Sequence, residues 1–90
     1  MLELIQTATY KKNLKKYKHN KQVLQELEEV IDLLVNEKTL PLKYRNHKLT
    51  GNYVGMLELH LKPDDLLIYV KIENHSIMLI SIGSHSELFC

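Results

Sequence analysis

A short polar turn between two strand-like segments constrains the fold of this chain more than any other feature. Residues 53–61 lead into the turn with leucine at every second position from 57 to 61, and residues 66–70 leave it as an unbroken apolar run. Pro63 suits the first central position of a turn because its ring fixes φ, and Asp64 can accept hydrogen bonds from the backbone amides beyond it. The pattern predicts an antiparallel hairpin with the imidazole of His60 at one strand end and a carboxylate in the turn.

Two helical patterns follow a short candidate strand at residues 2–6. Thr7 or Thr9 can cap the first helix, and Asn20 can cap the second, which runs from Lys21 to about Asn36. Each helix has one apolar stripe at helical spacing: Tyr10, Leu14 and Tyr17 in the first, and Leu24, Leu27, Ile31 and Leu34 in the second. These stripes indicate core packing.

The second half predicts three strands, at about 53–61, 66–72 and 76–82, after an irregular segment at 38–52. The order β-α-α-β-β-β predicts an α+β fold, with two N-terminal helices packed on one face of an antiparallel sheet. Ninety residues with 44% hydrophobic content fit one domain over residues 1–90. By parity, His60 lies on the sheet face opposite the leucines, where a site could form.

Charge and composition narrow the classes of partner. Residues 43–62 hold four cations against one carboxylate, whereas residues 23–42 hold one cation against five carboxylates. A basic block beside histidines suits phosphate, and the acidic block would repel it. No apolar run approaches the roughly 18 residues of a membrane helix, Glu3 and Gln6 argue against a secretory leader, and the single cysteine, Cys90, excludes an internal disulfide. We therefore expect a cytoplasmic protein with no membrane partner.

Short motifs spread along the chain, in a characteristic order and spacing, resemble a known family. They are Leu40-Pro41-Leu42, Tyr44 to Gly51, His60 to Asp64, Leu67-Ile68-Tyr69 and Gly83 to Phe89. Together they are similar to the YafQ branch of the RelE-like toxins of bacterial toxin–antitoxin modules. The resemblance implies a RelE-like fold and a ribosome-dependent endoribonuclease that cuts mRNA in the ribosomal A site. It also implies a DinJ- or RelB-like antitoxin, with operator DNA bound only through that antitoxin.

The resemblance carries specific roles onto matching residues. The catalytic residues that it implies are His47, His60, Asp64 and His85, and Phe89 helps to place the substrate. In such enzymes the ribose 2′-hydroxyl attacks the adjacent phosphate without a metal or cofactor. Imidazole suits either proton transfer, because its ordinary pKa of about 6.5 lies near neutral pH. We expect His85 as the acid, His60 or Asp64 as the base, and phosphate contacts from Lys43, Arg45, Lys48 and Lys62.

Other readings of the same residues stay open. Asp64 could be a plain turn residue, Phe89 could simply close the sheet edge, and His19 and His75 fit surface positions. Histidines with Asp64 could hold zinc, although no closely spaced HxH or HExxH pair supports a metal site. A ribosome-independent RNA-binding domain is a further, weaker option.

Three positions depart from the family pattern. Ser81 and Leu57 stand where members usually or commonly carry arginine, and Asp65 stands where an apolar residue is common. Loss of one preorganised donor typically costs roughly 2.7–4 kcal/mol of transition-state stabilisation. The alternative function is therefore a catalytically weakened relative that acts mainly as an antitoxin-binding module in autoregulation.

Overall fold

One mixed five-stranded sheet organises the molecule, with strand order β1-β5-β4-β3-β2. The structure is a computed structural model and describes residues 1–89, so the expectation that rests on Cys90 lies outside it. The strands are β1 (Glu3–Gln6), β2 (His47–Lys48), β3 (Leu57–Lys62), β4 (Asp65–Ile72) and β5 (Ser76–Gly83). The helices are α1 (Ala8–Leu14), α2 (Lys21–Val35) and α3 (His85–Phe89), with 3-10 turns at Lys15–Tyr17, Leu42–Tyr44 and Gly51–Tyr53.

The predicted helix caps are confirmed. The Thr7 side chain accepts from the amide of Tyr10, and the Asn20 side chain accepts from the amide of Val23. Each cap satisfies one of the amides that the first helical turn leaves free. The first helix is shorter than its apolar stripe, because it ends at Leu14 and continues as a 3-10 turn.

The α+β class is confirmed, and the sheet departs from the prediction at both edges. Strands β3, β4 and β5 form the expected antiparallel meander. β1 instead pairs with β5 in parallel, from Glu3 opposite Ser76 to Gln6 opposite Leu79, so the sheet is mixed rather than antiparallel. Along the sequence, the two helices form the long connection between β1 and the other strands. At the other edge β2 is only two residues long, too short to show any periodicity.

β3 begins at Leu57, four residues later than predicted. Gly51 and Gly55 have φ values of +66° and +92°, in the region that favours glycine, and a 3-10 turn at Gly51–Tyr53 takes this segment out of the sheet. The alternation that extended the predicted strand back to residue 53 therefore belongs to a loop.

The core lies between the sheet and α2. Its buried side chains on α2 include Val23, Leu27, Val30 and Leu34, and those on the sheet include Leu59, Leu61, Leu67, Tyr69, Leu79 and Ile82. α1 covers the part of β5 that β1 leaves unpaired: the Thr7 hydroxyl donates to Leu79 and Ile80 carbonyls, and Asn13 Oδ1 accepts from the Ile82 amide. Within residues 1–89 no helix combines the length and the apolar character needed to cross a membrane.

Candidate active site

A row of paired residues crosses the sheet on the face opposite the α2 core. His47 of β2 is opposite Glu58 of β3, Glu58 is opposite Ile68 of β4, and Ile68 is opposite Ser81 of β5. Paired residues on neighbouring strands project from the same face of a sheet. His60 follows Glu58 by two residues and therefore joins the same face, as parity predicted.

His47, Glu58 and His60 form a compact cluster. Glu58 Oε1 lies 3.4 Å from His47 Nε2 and 3.3 Å from His60 Nε2, and the two imidazole centroids are 6.1 Å apart. The Glu58 side chain is only 7% exposed, whereas the His60 and His47 side chains are 20% and 50% exposed. A nearly buried carboxylate thus holds two imidazoles that face solvent.

Backbone carbonyls orient both imidazoles. His47 Nδ1 lies 2.7 Å from the carbonyl oxygen of Arg45, and His60 Nδ1 lies 3.3 Å from that of Pro63. A carbonyl oxygen can only accept, so each Nδ1 must carry the proton and donate it. The Nε2 atom of each ring faces Glu58. It has a lone pair when the imidazole is neutral and a second proton when the imidazole is charged.

The hairpin turn also fastens α3. The Asp64 Oδ1 atom accepts from the backbone amide of His85 at 3.1 Å. The carbonyl of Pro63, in the same turn, contacts His60. One turn therefore positions both His60 and His85. The His85 ring is exposed and lies 5.0 Å from the Phe89 ring, which packs edge-to-face on Tyr53 at 5.2 Å.

A capping box starts α3, between Ser84 and Glu87. The Ser84 amide donates to Glu87 Oε1 at 2.8 Å, and the Glu87 amide donates to Ser84 Oγ at 3.2 Å. Lys16 Nζ reaches the other oxygen of Glu87 at 3.2 Å and ties α3 to the first helical segment. The Ser84 amide, followed by Lys16, lowers the pKa of the Glu87 carboxyl below its ordinary value.

Three of the four cations predicted to contact phosphate line an open hollow beside His60. The hollow has a volume of about 320 Å³, and its lining includes Lys43, Arg45, His60 and Lys62. Arg45 has a φ of +48°, and its carbonyl is the one that holds His47. We call this feature the basic hollow. Lys48 lies outside its lining, exposed on β2, and Phe89 lies on α3.

One cation of the basic hollow is partly neutralised. Lys43 Nζ lies 3.6 Å from Glu26 Oε2, and the hydroxyl of the buried Tyr44 donates to the same carboxylate oxygen. The Tyr44 hydroxyl, and then Lys43, lower the pKa of Glu26, while burial and Glu26 raise the pKa of Tyr44. Tyr44 is thus a packing residue and offers no face for base stacking. Among the salt bridges of residues 1–89, none involves Arg45 or Lys62.

Comparisons with known proteins place this arrangement in a family. Residues 2–90 match the family model of the "Bacterial toxin of type II toxin-antitoxin system, YafQ". The chain belongs to the YafQ family. The "mRNA interferase toxin YafQ" of Escherichia coli strain K12 is 33% identical over 85 residues, which cover 92% of this chain and 90% of that protein.

Solved structures agree with this assignment. A copper-bound mutant toxin from Helicobacter pylori is 34% identical, covers 99% of this chain and 100% of its own, and superposes with a TM-score of 0.91. The toxin–antitoxin complex of E. coli DinJ and YafQ contains a chain that is 27% identical, covers 99% of this chain and 98% of its own, and has a TM-score of 0.87.

The structure shows where the three departures from the YafQ pattern lie. Asp65 accepts a hydrogen bond from the Tyr17 hydroxyl at 2.9 Å, so a carboxylate there ties the hairpin to the first helical segment. Burial, and then this hydrogen bond, raise the pKa of Tyr17. Ser81 is 8% exposed in the row that contains Glu58, where an arginine would extend along the sheet face. Leu57 is half-buried against the core.

Sequence reasoning missed Glu58. In the sequence it is only the single carboxylate of residues 43–62, yet the structure places it between two of the predicted site histidines. The signal was its position two residues before His60, which puts both side chains on one strand face. What the sequence lacked was the pairing partner, because β2 brings His47 opposite Glu58 from a segment without periodicity.

Proposed function

We propose that this chain is an mRNA interferase, an endoribonuclease toxin that cuts mRNA in the ribosomal A site. The observation that carries the proposal is the continuous set of contacts from His47 through Glu58 and His60 to the hairpin turn, and from Asp64 to His85. The mRNA interferase name of its E. coli relative supports this class of reaction. A cytoplasmic location follows from the substrate.

The proposed reaction needs no group beyond the side chains of this site. A base removes the proton of the ribose 2′-hydroxyl, its oxygen attacks phosphorus, and the bond from phosphorus to the 5′-oxygen breaks. An acid gives that 5′-oxygen a proton, and the products are a cyclic phosphate and a 5′-hydroxyl. We assign the acid to the exposed His85 and the base to His60 with Glu58, since His60 Nε2 faces that carboxylate.

The remaining groups hold substrate and site in place. His47 contacts the phosphate from the solvent side of the cluster, and Arg45 and Lys62 hold flanking phosphates along the basic hollow, with Lys43, Lys48 and Phe89 at its borders. Asp64 already accepts from the amide of His85, which favours a positioning role over that of a base.

The test is a comparison of mRNA 5′ ends after induction of the wild type, His85→Ala and the control His75→Ala. Loss of a general acid should reduce cleavage about 100- to 10,000-fold, and growth arrest should disappear with it. His75 lies exposed in the turn between β4 and β5 and should be replaceable without effect. Equal cleavage by wild type and His85→Ala would contradict the proposal.

Ser81 favours a second candidate function. Without arginine in this row, the chain could hold an antitoxin and take part in operator control through it, with little cleavage of RNA. This alternative predicts unaffected growth on induction, together with retained antitoxin binding.

The proposed partner in either case is a DinJ- or RelB-like antitoxin. The E. coli YafQ structure in complex with DinJ supports it. Along α2 an open groove is lined by Glu28, Glu29 and Asp32 beside Ile31 and Val35. Such a groove suits a partner segment with both basic and apolar side chains.

A further inference from the structure

A second cavity opens on the active-site face of the sheet, between α1 and α3. It has a volume of about 380 Å³, within the range of about 300–1,000 Å³ that is usual for small-molecule sites. The side chains that line it combine hydrogen-bonding groups with apolar surface and include Thr9, Asn13, Tyr53, Ser81, Glu87 and Leu88. We call this cavity the α1–α3 pocket.

A β-bulge in β5 gives the pocket its floor. The register of β5 against β4 shifts between Leu79 and Ser81, so Ile80 is one extra residue. In a regular strand Leu79 and Ser81 would share a face, whereas the bulge turns Leu79 to the core and Ser81 to the active-site face. The Thr7 hydroxyl donates to the Leu79 and Ile80 carbonyls at 2.9 and 2.8 Å and holds the bulge against α1. The small side chain of Ser81 leaves the space above it open.

One aromatic ring separates this pocket from the residues assigned to cleavage. Tyr53 lines the pocket and packs edge-to-face on Phe89, which in turn contacts the ring of His85. Because His85 is the proposed acid for the 5′-oxygen, it lies beside the nucleotide that follows the cut. The pocket is therefore within reach of the base of that nucleotide.

The lining of the pocket suits a neutral ring better than a phosphate. It includes the Glu87 carboxylate and, among the described residues, no lysine, arginine or histidine, whereas the basic hollow has several. A phosphate would be repelled here. Apolar surface from Ile80 and Leu88 instead suits the face of a base.

Two polar groups are placed to read the edge of a base. Asn13 Oδ1 accepts from the Ile82 amide at 3.3 Å, which leaves the Nδ2 group of the same side chain as a donor to the pocket. Glu87 accepts from the Ser84 amide and from Lys16, and each of its oxygens keeps a second lone pair. The pocket thus offers one fixed donor and one fixed acceptor, besides hydroxyl groups that can act as either.

We propose that the α1–α3 pocket binds the base of the nucleotide on the 3′ side of the cut, and that Asn13 and Glu87 read its edge. This inference rests on the proposed function and adds a determinant of sequence preference to it. Proteins that recognise single-stranded RNA turn bases out of the strand, stack them on side chains and hydrogen-bond their edges. The basic hollow takes the phosphates, and this pocket takes a base.

Asn13→Asp is the most informative variant. It keeps an oxygen that accepts from Ile82 and replaces the donor with a second acceptor, so the contact of α1 with β5 is retained. Together with Glu87 it presents two acceptors, and guanine is the base whose Watson–Crick edge has two adjacent donors, N1–H and the N2 amine. Ser81→Ile fills the pocket from its floor with a β-branched side chain that suits a strand. Thr39→Val is the control, because Thr39 is exposed after α2 and lies outside the pocket lining.

Mapping of mRNA 5′ ends reads the preference directly, because each new 5′ end begins with the base that followed the cut. We expect the wild type and Thr39→Val to share one unequal distribution of bases, after correction for the base composition of the mRNA. In Asn13→Asp the ratio of guanine to the other bases should rise at least about fivefold, and Ser81→Ile should lose the preference. A substitution that only loosened the fold would lower cleavage at every site and leave this ratio unchanged. The same base distribution in all four proteins overturns the proposal.

Binding is measured separately from cleavage, in ¹⁵N-labelled His85→Ala with a single-stranded RNA pentanucleotide as the probe. We expect the NMR signals of the Asn13 side-chain amide and of the Leu88 backbone amide to shift, and that of Thr39 to stay in place. If these shifts occur but the wild type cuts no mRNA, the pocket stands and the proposed nuclease fails. If the wild type cuts mRNA but the variants share its base distribution and the pocket signals do not shift, the nuclease stands and the pocket fails.

Discussion

Glu58 shows how one residue can serve the site at the expense of the fold. A buried carboxylate costs free energy unless a partner of opposite charge offsets its lost hydration. Its ion-pair partners within the described chain are two histidines, whose charge depends on bound protons. An apolar side chain would pack there with less penalty, so a carboxylate at this position points to a role in proton or cation chemistry.

At position 81 we predict that an arginine raises the rate of cleavage. Ser81 and Glu58 are two strands apart, and two strand spacings are about 9.6 Å, so a guanidinium at 81 would reach over Ile68 toward the cluster. A preorganised donor for the developing charge is worth roughly 100- to 1000-fold in rate. Cleavage rates of Ser81→Arg and of Ser81→Gln, which has nearly the length but no charge, measure the effect. Equal rates for the two variants would rule out a charge effect.

At the scale of elements, α3 depends on contacts with other parts of the chain. One turn of helix does not form by itself, because fixing the first turn costs more than its single hydrogen bond returns. Asp64, the capping box and Lys16 hold α3 in place, and with it His85. The orientation of His85 therefore depends on two carboxylates, Asp64 and Glu87.

We predict that α3 detaches on acidification. The pKa of Glu87 is lower in the folded protein than its ordinary value of 4.5, chiefly because the Ser84 amide donates to the carboxylate. Its contribution to stability is therefore complete above about pH 4.5 and is lost as the pH falls through the folded pKa. The protection factors of the α3 amides against hydrogen exchange should fall in that range for the wild type. Glu87→Gln should show faster exchange at neutral pH and a smaller pH dependence, and identical pH profiles would contradict this account.

The hydrogen bond from Tyr17 to Asp65 should stabilise the junction of helix and hairpin. Tyr17→Phe removes a donor to a partly buried carboxylate, and we expect a loss of about 1–2 kcal/mol in the free energy of unfolding. Urea denaturation measures it. A double-mutant cycle with Asp65→Ala separates this pair from other contacts, and a coupling energy near zero would show that the bond contributes nothing.

Local signals predicted most of these elements, and long-range pairing accounts for what they missed. The caps at Thr7 and Asn20 and the hairpin each depend on residues within a few positions of one another. The parallel pairing of Glu3 with Ser76 and the contact of His47 with Glu58 depend on the whole fold. No periodicity in a single sequence reports such pairs, so the family resemblance could name the histidines while their carboxylate partner was missed.

At the scale of the whole molecule, charge is divided between two surfaces. The cations of the basic hollow lie beside the histidine cluster, whereas the carboxylates of α2 line a separate groove. A net charge of +1 hides this separation. Under the proposed function, RNA and a basic antitoxin segment would recognise different parts of this small protein.

We predict that the basic hollow gives RNA binding a strong dependence on salt. Each phosphate contact to a single strand adds about 0.7 to the slope of log affinity against log salt concentration. In a His85→Ala background, which prevents cleavage, Arg45→Gln and Lys62→Gln should each weaken binding of a short RNA and reduce the slope by about that amount. Lys12→Gln, on α1 and outside the lining of the hollow, is the control. An unchanged slope in all three would place the RNA elsewhere.

The parallel pairing of β1 with β5 has a consequence for how this protein folds. β1 is held by a strand more than seventy positions later, so this sheet edge can close only after the residues of β5 are available. Contacts between such distant segments slow folding, because the loop between them must be closed first. The edge strand that the antiparallel meander does not need should therefore limit how fast the complete sheet assembles.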